Sequence, residues 1–569
     1  MLKLRTILQN DTSIKGEKSM RILVIGAVAA GTSAATKARR NDELADIVIY
    51  EKDQDISYSG CGLPYYIGGE IEDLGELVPR DETFFKKKYN IDILTLHEVK
   101  SIDPQNKQIT VLNLKTNETF VDFYDKLILA TGATPIIPPI KGVELEHVFF
   151  LRNVQSARNI KNYIMKNQPK NAVILGTGFI GFEMLENLMA EKIKVTLIEK
   201  APYIAPNLDE DMSIYLESAL AKKEITMVKG ASVIEITKHH VVLADKTTMK
   251  ADLVIMATGV RPCVGLGLET GIVMGITGAM KVDTKMMTSI TDIYACGDCI
   301  ETYSSITKKP TYRPLGSTAN KTGRIAGDQA TGGMLTYKGN LSTGIYKLFE
   351  LTIGTTGLTE REAAKEGYDV VTCHNIKPDK ATYFQGQEML IKAIADKVTQ
   401  KLLGVQIIGL DGVDKRLDVF ATLITYGAKV DELFHLDLAY APPFSTTKDP
   451  VHYTGMILDN AINRQRPLKT ANEVSAMLMT ETPVQVIDTR IASQYEVEHV
   501  EVAINLPHSK IRETMQQLDK NIPVVTYCNK GVTGNAVQNI LLGHGFKEVY
   551  NLSGGYKFYK STVNKKSKL

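Results

Sequence analysis

The chain has 569 residues, of which 44% are hydrophobic and 23% are charged, and its net charge is +2. This length predicts about three to four domains at ~100–200 residues each, and the balanced charge does not indicate nucleic acid as a partner. No apolar run reaches the ~18–20 residues that span a bilayer, so no membrane partner is expected. Residues 1–19 lack the apolar centre of a signal peptide and are expected to form a disordered N-terminal extension.

The six cysteines are unevenly spaced and do not resemble a disulfide framework. A cytoplasmic setting with reactive thiols is the better interpretation. Cys296 and Cys299 form a Cys-x-x-Cys pair, but no further cysteine or histidine ligands stand nearby. We therefore interpret these two as packing residues and predict no metal site.

The first predicted nucleotide-binding unit begins with a β-branched strand at residues 21–25. Gly26 and Gly31 follow at the start of an Ala-rich helix, and Glu51 ends the next strand. This spacing is typical of a dinucleotide βαβ unit, in which glycines let the backbone approach a pyrophosphate and the acid binds ribose hydroxyls. Val28 replaces the middle glycine, so the motif is less specific than the full pattern.

One isolated cysteine follows this unit. Cys61 lies in the run 57–66 with no second cysteine a few residues along. It cannot form an internal disulfide, so it must cycle through a mixed disulfide, a persulfide or a sulfenic acid with an outside group. The sequence therefore predicts a redox cysteine that exchanges with an external substrate.

A second nucleotide motif is more complete. Gly176, Gly178 and Gly181 open a helix after an apolar strand, and Glu199 ends the following strand. One such motif is weak evidence, whereas two in one chain, each with strand, helix and acid in order, are strong evidence. Glu199 favours the unphosphorylated ribose of NADH, while Lys200 beside it leaves NADPH open.

Two further segments are predicted to form buried strands that lead into tight turns. Such turns are expected at the end of a nucleotide-binding domain. The first turn carries Thr131 and Gly132, and the second carries Gly259. Asp298 follows a glycine and is suited to accept a hydrogen bond from a ribityl hydroxyl.

The pattern changes from about residue 337, where the glycine motifs stop. Strands at 344–351, 369–374, 388–395 and 404–408, with an amphipathic helix at 414–428, predict an α+β unit. The polar residues 465–476 are predicted to form a linker. Beyond it, two more strands precede Cys528, which opens a Cys-x-x-Gly-x-Thr loop and a helix.

With these motifs in place, residues 20 to about 465 resemble the single-cysteine branch of the flavoprotein disulfide reductases, in particular the coenzyme A disulfide reductases. The runs 60–69 and 440–445 carry this resemblance most strongly. Residues 470–569 resemble a rhodanese domain. The whole arrangement is similar to coenzyme A disulfide reductase–rhodanese fusions and to NADH-dependent persulfide reductases.

The resemblance implies an α/β protein with two Rossmann-like nucleotide-binding domains, an α+β dimerisation domain and a C-terminal α/β rhodanese domain. It also implies a homodimer, since the α+β domain of this family forms the dimer surface and completes the active site. The predicted boundaries are 20–150 and 270–336 for the FAD domain, 151–269 for the NAD(P)H domain, 337–465 for the dimerisation domain and 470–569 for the rhodanese domain.

The resemblance also implies the chemistry. NADH or NADPH passes hydride to FAD, and the reduced flavin cleaves a sulfur–sulfur bond that involves Cys61. The Cys61 thiolate requires a lowered pKa, which a helix N-terminus and charge transfer with the flavin are expected to supply. Tyr440 of the partner subunit is the expected proton donor, with Tyr383 second, or Thr382 if the register shifts by one. The His–Glu acid–base pair of paired-cysteine members is absent, so His435 is interpreted as a structural or surface histidine.

Coenzyme A, expected as substrate or ligand, carries phosphates that need a basic rim. Lys37, Arg40 and Arg80 stand at positions that resemble the family's nucleotide-end contacts, and Ser57 lies on the pantetheine side. Arginine suits phosphate because it binds in a bidentate manner. Simple solubilising charge is the alternative for these exposed basic residues.

In rhodaneses, the loop that begins with the catalytic cysteine directs its backbone N–H groups at the sulfur, which stabilises a thiolate or persulfide. Cys528 fits this role, and Asp488 with Arg490 resembles the Asp-x-Arg of the domain core. The run 498–501 departs from the usual Gly-His-x-Pro, and Thr533 stands where arginine is common. An inactive rhodanese fold used for interaction is therefore the alternative.

Together these features predict an FAD-dependent NAD(P)H oxidoreductase that acts on coenzyme A persulfide, polysulfide or coenzyme A disulfide. Cys528 would relay sulfane sulfur, because a fused domain raises the local thiol concentration to ~millimolar. Two alternatives stay open. One is an NADH oxidase or peroxidase that cycles Cys61 through sulfenic acid. The other is a sulfur-delivery or redox-sensing protein.

Overall fold

The computed structural model describes residues 19–480 and 482–563. The predicted N-terminal extension lies outside the described residues, except for residue 19. Among the described helices, none is both long and apolar enough to cross a membrane. The described chain forms four units, each built around a five-stranded sheet.

The first nucleotide-binding unit is a parallel sheet flanked by helices. Across the sheet, the strands are Ile293–Ala295, Lys126–Leu129, Arg21–Ile25, Asp46–Tyr50 and Asp92–Leu94. Helices Ala29–Asn41 and Gly316–Ala330 lie so close that a Cβ at Gly323 would meet the carbonyl oxygen of Ala30 at 2.2 Å. The smaller elements are a three-stranded antiparallel sheet of His97–Asp103, Gln108–Asn113 and Thr119–Phe123 and the helices Leu63–Ile67, Glu82–Tyr89 and Gly265–Thr270.

The second nucleotide-binding unit repeats this design within the middle of the chain. Its parallel strands are Thr226–Lys229, Lys194–Glu199, Asn171–Leu175, Leu253–Met256 and Val148–Phe149. The strands are nearly continuous apolar runs because both faces of the sheet are covered. The other elements are an antiparallel sheet of Val233–Ile236, His240–Leu243 and Thr248–Lys250 and the helices Val154–Asn167, Phe179–Ala190 and Glu210–Leu220.

The α+β unit has an antiparallel sheet with helices packed against it. Its strands are Gly344–Leu348, Leu351–Gly357, Leu402–Gly409, Glu388–Asp396 and Val370–Pro378, and its helices are Glu360–Lys365, Val413–Thr425 and Pro450–Ile462. The prediction of one strand over 344–351 is wrong. Phe349 adopts a left-handed φ of 54°, and the chain turns there into a second strand.

The C-terminal unit is a parallel sheet, with strands Leu468–Lys469, Val549–Leu552, Val524–Tyr527, Gln485–Asp488 and Ile504–Asn505. Its helices are Ala471–Leu478, Ala492–Val497, Ile511–Thr514, Val532–Gly543 and Gly555–Thr562. The prediction of a linker at 465–476 is wrong. Thr470 and Glu473 form a capping box that starts a helix within it.

The C-terminal unit packs on the α+β unit of its own chain. The backbone N–H of His374 donates to Ser553 Oγ at 2.7 Å, and the His374 ring stacks on Phe558 with centroids 4.1 Å apart. Glu388 of the α+β unit also pairs with Lys530 and Lys557. A packed, charged and hydrogen-bonded contact therefore fixes how the C-terminal unit faces the rest of its chain.

Candidate active site

The first glycine turn has the geometry of a dinucleotide site. Gly26 has φ 106°, and a Cβ there would meet the carbonyl oxygen of Ala130 at 2.3 Å. The helix that follows has Val28 at its N-cap and no side-chain cap, so its first N–H groups are left for an anionic ligand. Glu51 accepts hydrogen bonds from the backbone N–H of Ala27 at 2.7 Å, which holds its carboxylate beside the turn.

The second turn is open where a pyrophosphate would approach. Gly176 has φ 103°, and a Cβ at Gly181 would meet the carbonyl oxygen of Gly176 at 2.2 Å. At Gly178 an added Cβ would meet nothing within 4 Å, and the helix beginning there again has no side-chain cap. Glu199 lies at the turn and accepts from Thr177 Oγ1 at 2.6 Å. Both turns thus fit the nucleotide groups that the sequence predicts.

The two closing turns meet beside the first unit. Gly132 and Gly259 have φ values of 70° and 93°, which L side chains rarely adopt. Thr131 Oγ1 donates to the carbonyl oxygen of Cys263 at 2.7 Å, which ties the first turn to the second. Arg152 lies 3.6 Å from the Asp298 carboxylate. Burial raises the pKa of Asp298, and Arg152 opposes this effect.

Cys61 lies in a short helical turn, Gly60–Gly62, directly before the helix Leu63–Ile67. Its side chain reaches solvent. In the chain without flavin, the pKa of Cys61 is not lowered, and the expected lowering with flavin bound stays a prediction. Desolvation by the surrounding protein raises the pKa of the thiol, and the charges of Glu183 and Asp298 add to the rise.

Glu183 lies near Cys61, and the sequence analysis assigned it no function. It follows Gly181 by two residues on the helix Phe179–Ala190. Burial raises the pKa of its carboxyl to about 7, and the charge of Glu186 contributes. Its charge also acts on Tyr65, which lies beside Cys61 and whose pKa rises to about 12, mainly through burial. Glu183 therefore changes its charge near neutral pH beside the thiol.

The two predicted tyrosines lie on neighbouring loops of the α+β unit. The backbone N–H of Ala381 donates to the carbonyl oxygen of Pro442 at 3.3 Å, which joins the loop of Tyr383 to that of Tyr440. Tyr383 is 75% exposed and Tyr440 is 49% exposed, and Thr382 beside Tyr383 is exposed as well. Such exposure of adjacent aromatic rings is what an interface with another subunit would cover.

His435 ends a short helical turn at the surface of the same unit, Val430–His435. Its ring lies next to Phe434, with centroids 5.5 Å apart. This position agrees with the interpretation of His435 as a surface histidine.

The residues predicted to bind coenzyme A phosphates divide into two groups. Arg40 lies over the ring of Tyr89 at 5.8 Å, and Arg80 lies over that of Phe84 at 5.6 Å. Those rings are 6.1 Å apart on the helix Glu82–Tyr89, so the two exposed arginines share one surface. Their guanidinium groups are available for a phosphate.

Lys37 and Ser57 are placed differently. Lys37 pairs with Asp328 at 3.0 Å and donates to Asn41 Oδ1 at 2.8 Å, and only 15% of its side chain is exposed. It is therefore engaged by the protein itself. Ser57 adopts φ 47° and its N–H donates to the carbonyl oxygen of Ala27 at 2.9 Å, so it lines the first glycine turn.

The Cys528 loop is held by a buried ion pair. Arg490 donates from Nη2 to Asp488 Oδ2 at 2.6 Å, and both residues are buried. The same guanidinium donates from Nη1 to Asn529 Oδ1 at 3.3 Å, one residue past Cys528. Thr533, where arginine is common, accepts a 3.4 Å hydrogen bond from Thr489 and is the second residue of the helix Val532–Gly543.

The surroundings of Cys528 are cationic. Burial and the charge of Lys530 lower the pKa of Lys377 in the α+β unit. A negative charge on Cys528 acts on Lys377 in the opposite direction. Lys530 belongs to the Cys528 loop and pairs with Glu388 on the neighbouring strand. Lys377 was not anticipated, because a contact between two domains leaves no local signal in the sequence.

Cys296 and Cys299 are fully buried, and burial raises the pKa of the Cys299 thiol to about 11. The Cys299 thiol donates to the carbonyl oxygen of Cys296 at 3.2 Å. Within residues 19–480 and 482–563, no group of three or more potential ligands is arranged to hold a metal. Both cysteines lie in the hydrophobic core of the first nucleotide-binding unit.

The chain has two nucleotide sites, each on a parallel sheet, with the exposed Cys61 thiol between them. This arrangement defines a flavin- and pyridine-nucleotide-dependent oxidoreductase. The family of pyridine nucleotide-disulphide oxidoreductases matches residues 20–316, and its dimerisation domain matches residues 344–450. A rhodanese-like domain matches residues 470–562. The chain belongs to this family of enzymes, which use FAD and NAD(P)H, and it carries the rhodanese domain in addition.

Named relatives narrow the comparison. An NADH oxidase of Methanocaldococcus jannaschii is 35% identical over 76% of this chain and 97% of its own length. An NAD(P)H coenzyme A polysulfide/persulfide reductase of Pyrococcus horikoshii is 35% identical over 77% of this chain and 98% of its own. The crystal structure of reduced CoADR-RHD from Bacillus anthracis superposes with a TM-score of 0.94 at 35% identity, covering 97% of this chain and 99% of that one.

Proposed function

We propose that this enzyme reduces the sulfur–sulfur bonds of coenzyme A persulfide, polysulfide and coenzyme A disulfide through Cys61, with sulfane sulfur supplied by Cys528. One observation carries the proposal. The Cys528 loop is docked, through Lys530 and Glu388, on the hairpin whose tip carries Tyr383. A sulfur-carrying loop is thereby attached to the element that would complete the reductase site.

The Gly26 turn and Glu51 would hold FAD, which would supply the two electrons taken from NAD(P)H. The Cys61 thiolate attacks a persulfide RS–SH, forms the mixed disulfide Cys61–S–S–R and releases HS⁻. Two electrons then cleave the mixed disulfide to the Cys61 thiolate and RS⁻, which takes one proton. In sum, RSSH and NADH give RSH, HS⁻ and NAD⁺. Coenzyme A disulfide follows the same steps and releases a second thiolate in place of HS⁻.

The proton for the departing thiolate is assigned to Tyr440, with Tyr383 beside it. Both rings are exposed on one chain, and their loops are joined at Ala381 and Pro442. We propose a homodimer in which these loops reach Cys61 of the other subunit. Arg40 and Arg80 are the candidates for the phosphates of coenzyme A, while Lys37 supports the helix through Asp328.

Cys528 takes sulfur from a donor to form Cys528–S–SH, and a coenzyme A thiolate then removes the outer sulfur as coenzyme A persulfide. This exchange conserves sulfur and requires no electrons. Arg490 positions the loop through Asn529, and the cations around it favour an anionic persulfide. All six cysteines of the chain are free thiols, which supports a reducing, cytoplasmic setting.

An NADH oxidase is the second candidate, favoured by the name of one relative and by the solvent access of Cys61. In that reaction peroxide or oxygen would convert Cys61 to a sulfenic acid. The docked C-terminal unit and the paired arginines have no purpose in such an enzyme.

The deciding experiment compares NADH and NADPH oxidation by the FAD-loaded enzyme without oxygen, with coenzyme A persulfide and coenzyme A disulfide in parallel. Faster turnover with the persulfide supports a sulfane-sulfur reductase. Faster turnover with the disulfide supports a thiol-balance enzyme. Turnover only when oxygen or peroxide is admitted would replace the proposal by the oxidase.

A further inference from the structure

His374 is a buried residue that contacts two neighbouring units and has no role in the function proposed above. It lies on the strand Val370–Pro378 of the α+β unit, and none of its side chain is exposed. Its Nε2 lies 2.8 Å from Asp211 Oδ2 in the second nucleotide-binding unit. Its Nδ1 lies 3.0 Å from Ser553 Oγ in the C-terminal unit, and its ring stacks on Phe558. The ring is therefore fixed across two domain boundaries.

The partners of the His374 ring determine where its protons lie. Burial acts to raise the pKa of Asp211, but the charge of Lys392 outweighs burial, so the pKa lies below its usual value. The ionised Asp211 can only accept, so Nε2–H of His374 donates to it. Ser553 Oγ already accepts the backbone N–H of His374 at 2.7 Å, which leaves the hydroxyl hydrogen for Nδ1. Both ring nitrogens are thereby used within the protein.

Ser553 begins a turn, 553–555, that lies between His374 and the Cys528 loop. Gly554 and Gly555 have φ values of 75° and 63°, in the left-handed region that favours glycine. A Cβ at Gly554 would lie 3.0 Å from the Cβ of His374. A Cβ at Gly555 would lie 2.5 Å from the carbonyl oxygen of Cys528. The turn therefore packs on His374 with one residue and on Cys528 with the next.

Hydrogen bonds reinforce the contact between this turn and the loop. The backbone N–H of Tyr556 donates to the carbonyl oxygen of Cys528 at 2.8 Å, and that of Lys557 donates to the carbonyl oxygen of Asn529 at 3.1 Å. Because each peptide unit is planar, fixing these two carbonyl groups also fixes the direction of the N–H groups of Asn529 and Lys530. The turn thus controls how the loop presents its N–H groups.

We propose that His374 is a positioning residue for the sulfur chemistry of Cys528. It holds the turn 553–555 against the loop, so that the loop N–H groups keep the direction in which they stabilise an anionic sulfur. The α+β unit thereby completes the sulfur site of the C-terminal unit, and Asp211 of the second nucleotide-binding unit fixes His374 in turn. The inference rests on the proposed function only in taking Cys528 as the sulfur carrier.

Two substitutions separate the two contacts of the ring. Asparagine carries its amide as many bonds from the backbone as Nδ1, so His374→Asn keeps a partner for Ser553. Glutamine carries its amide as far out as Nε2, so His374→Gln keeps a partner for Asp211 instead. The readout is the pH dependence of Cys528 alkylation by iodoacetamide in the full-length, FAD-loaded enzyme, measured by mass spectrometry of the peptide that contains Cys528. Alkylation reports the thiolate directly and needs no turnover.

His374→Gln should move the midpoint of Cys528 alkylation to higher pH by about half a unit or more, because misaligned N–H groups stabilise a thiolate less. His374→Asn should move it by less than half as much. Ser553→Ala is a smaller change that removes the same hydrogen bonds, and it should act like His374→Gln. The charges of Lys377 and Lys530 near the sulfur are the same in every variant.

His452→Gln is the matched control. Nδ1 of His452 accepts from the backbone N–H of Asp449 at 3.0 Å, and Nε2 donates to the carbonyl oxygen of Leu436 at 2.9 Å. Both ring nitrogens of His452 thus bond within the α+β unit. This variant should lower the temperature of thermal unfolding, as a structural residue would, and leave the midpoint of Cys528 alkylation unchanged.

Three results would overturn the proposal. The first is an unchanged midpoint in both His374→Gln and Ser553→Ala, and Ser553→Ala alone decides this point if His374→Gln does not fold. The second is an equal shift in His374→Asn and His374→Gln, which would show that the contact with Ser553 does not position the loop. The third is a similar shift in His452→Gln, which would indicate general loosening of the unit. Sulfur transfer from thiosulfate to cyanide by the unaltered enzyme tests the proposed function separately.

Discussion

The two reactive thiols of this chain have opposite surroundings. Cys61 reaches solvent and has the carboxylates of Glu183 and Asp298 nearby, which raise its pKa. Cys528 is 6% exposed and lies near Lys377 and Lys530. The chain by itself therefore disfavours an anion at the Cys61 sulfur, whereas two lysines lie near the Cys528 sulfur.

This difference shows how the work is divided between the two sites. The Cys528 loop has its support within the chain, from Asp488 and Arg490 and from the docking contact at Glu388. In the proposed mechanism, Cys61 also needs the flavin expected at the Gly26 turn and a proton donor from another subunit. That mechanism places sulfur storage within one chain, whereas reduction would require cofactor and dimer.

The largest expected effect separates the two thiols outright. Cys61→Ser should retain FAD but reduce NADH-dependent turnover of coenzyme A persulfide and coenzyme A disulfide by roughly 10³-fold or more, because the nucleophile is lost. Anaerobic stopped-flow absorbance measures turnover, and the flavin spectrum serves as the control for folding. Sustained turnover would show that Cys61 is not the nucleophile, and the proposed division of roles between Cys61 and Cys528 would be incorrect.

Cys528→Ser should produce the complementary result. Sulfur transfer from thiosulfate should fall by roughly 100-fold or more, since the persulfide can no longer form. Reduction of coenzyme A disulfide in the same preparation should remain, which provides an internal control. If the variant keeps both activities, the rhodanese domain is an interaction module and the division of labour proposed above is incorrect.

Tyr440→Phe tests whether the reductase site is completed by the α+β unit. Loss of a general acid should slow turnover by ~10²-fold, while the formation of the mixed disulfide should be less affected. Tyr426→Phe is a matched control, because Tyr426 is also exposed on this unit, at 85%, but away from the two tyrosine loops. Equal rates for both variants would assign the proton to another group, with Tyr383 the next to be changed.

Much of this architecture follows from local sequence signals. The glycine turns, the acids at Glu51 and Glu199 and the Cys528 loop are short motifs whose backbone conformation depends on residues a few positions apart. Where a competing local signal was overlooked, the prediction was wrong, as for the helix that Thr470 and Glu473 start inside the expected linker. Propensity and composition alone could not reveal that capping box.

The charges around each sulfur could not be predicted in the same way. Glu183 and Cys61 come from different nucleotide-binding units, and Lys377 and Cys528 from different domains, so only the packing of those units brings them together. The expected lowering of the Cys61 pKa considered charge transfer with the flavin and a helix dipole that lies close in sequence. It omitted carboxylates that are distant in sequence and close in space.

Glu183→Gln measures how strongly one of these distant charges acts. The pKa of Glu183 is raised to about 7, so its carboxyl is neutral below pH 7 and ionised above it, where it opposes ionisation of Cys61. Removing the charge should shift the midpoint of Cys61 alkylation by iodoacetamide to lower pH by about half a unit to one unit. Glu70→Gln, an exposed acid on the same side of the chain, should leave the midpoint unchanged. An unshifted profile for Glu183→Gln would show that desolvation alone raises the Cys61 pKa.

The smallest expected effect concerns the contact that joins the two regions. Glu388 pairs with Lys530 and Lys557 across the boundary, and 30% of its side chain is exposed, so each pair is expected to contribute only ~0–1 kcal/mol. Glu388→Gln should therefore lower NADH-dependent reduction of sulfur loaded on Cys528 by about two- to threefold at low salt, and less at high salt because ions screen exposed charges. Glu498→Gln removes a similar exposed pair, with Lys560, that lies wholly within the C-terminal unit. If Glu388→Gln and Glu498→Gln behave alike, the docking seen at Glu388 does not transmit sulfur, and the two thiols act as independent sites carried on one chain.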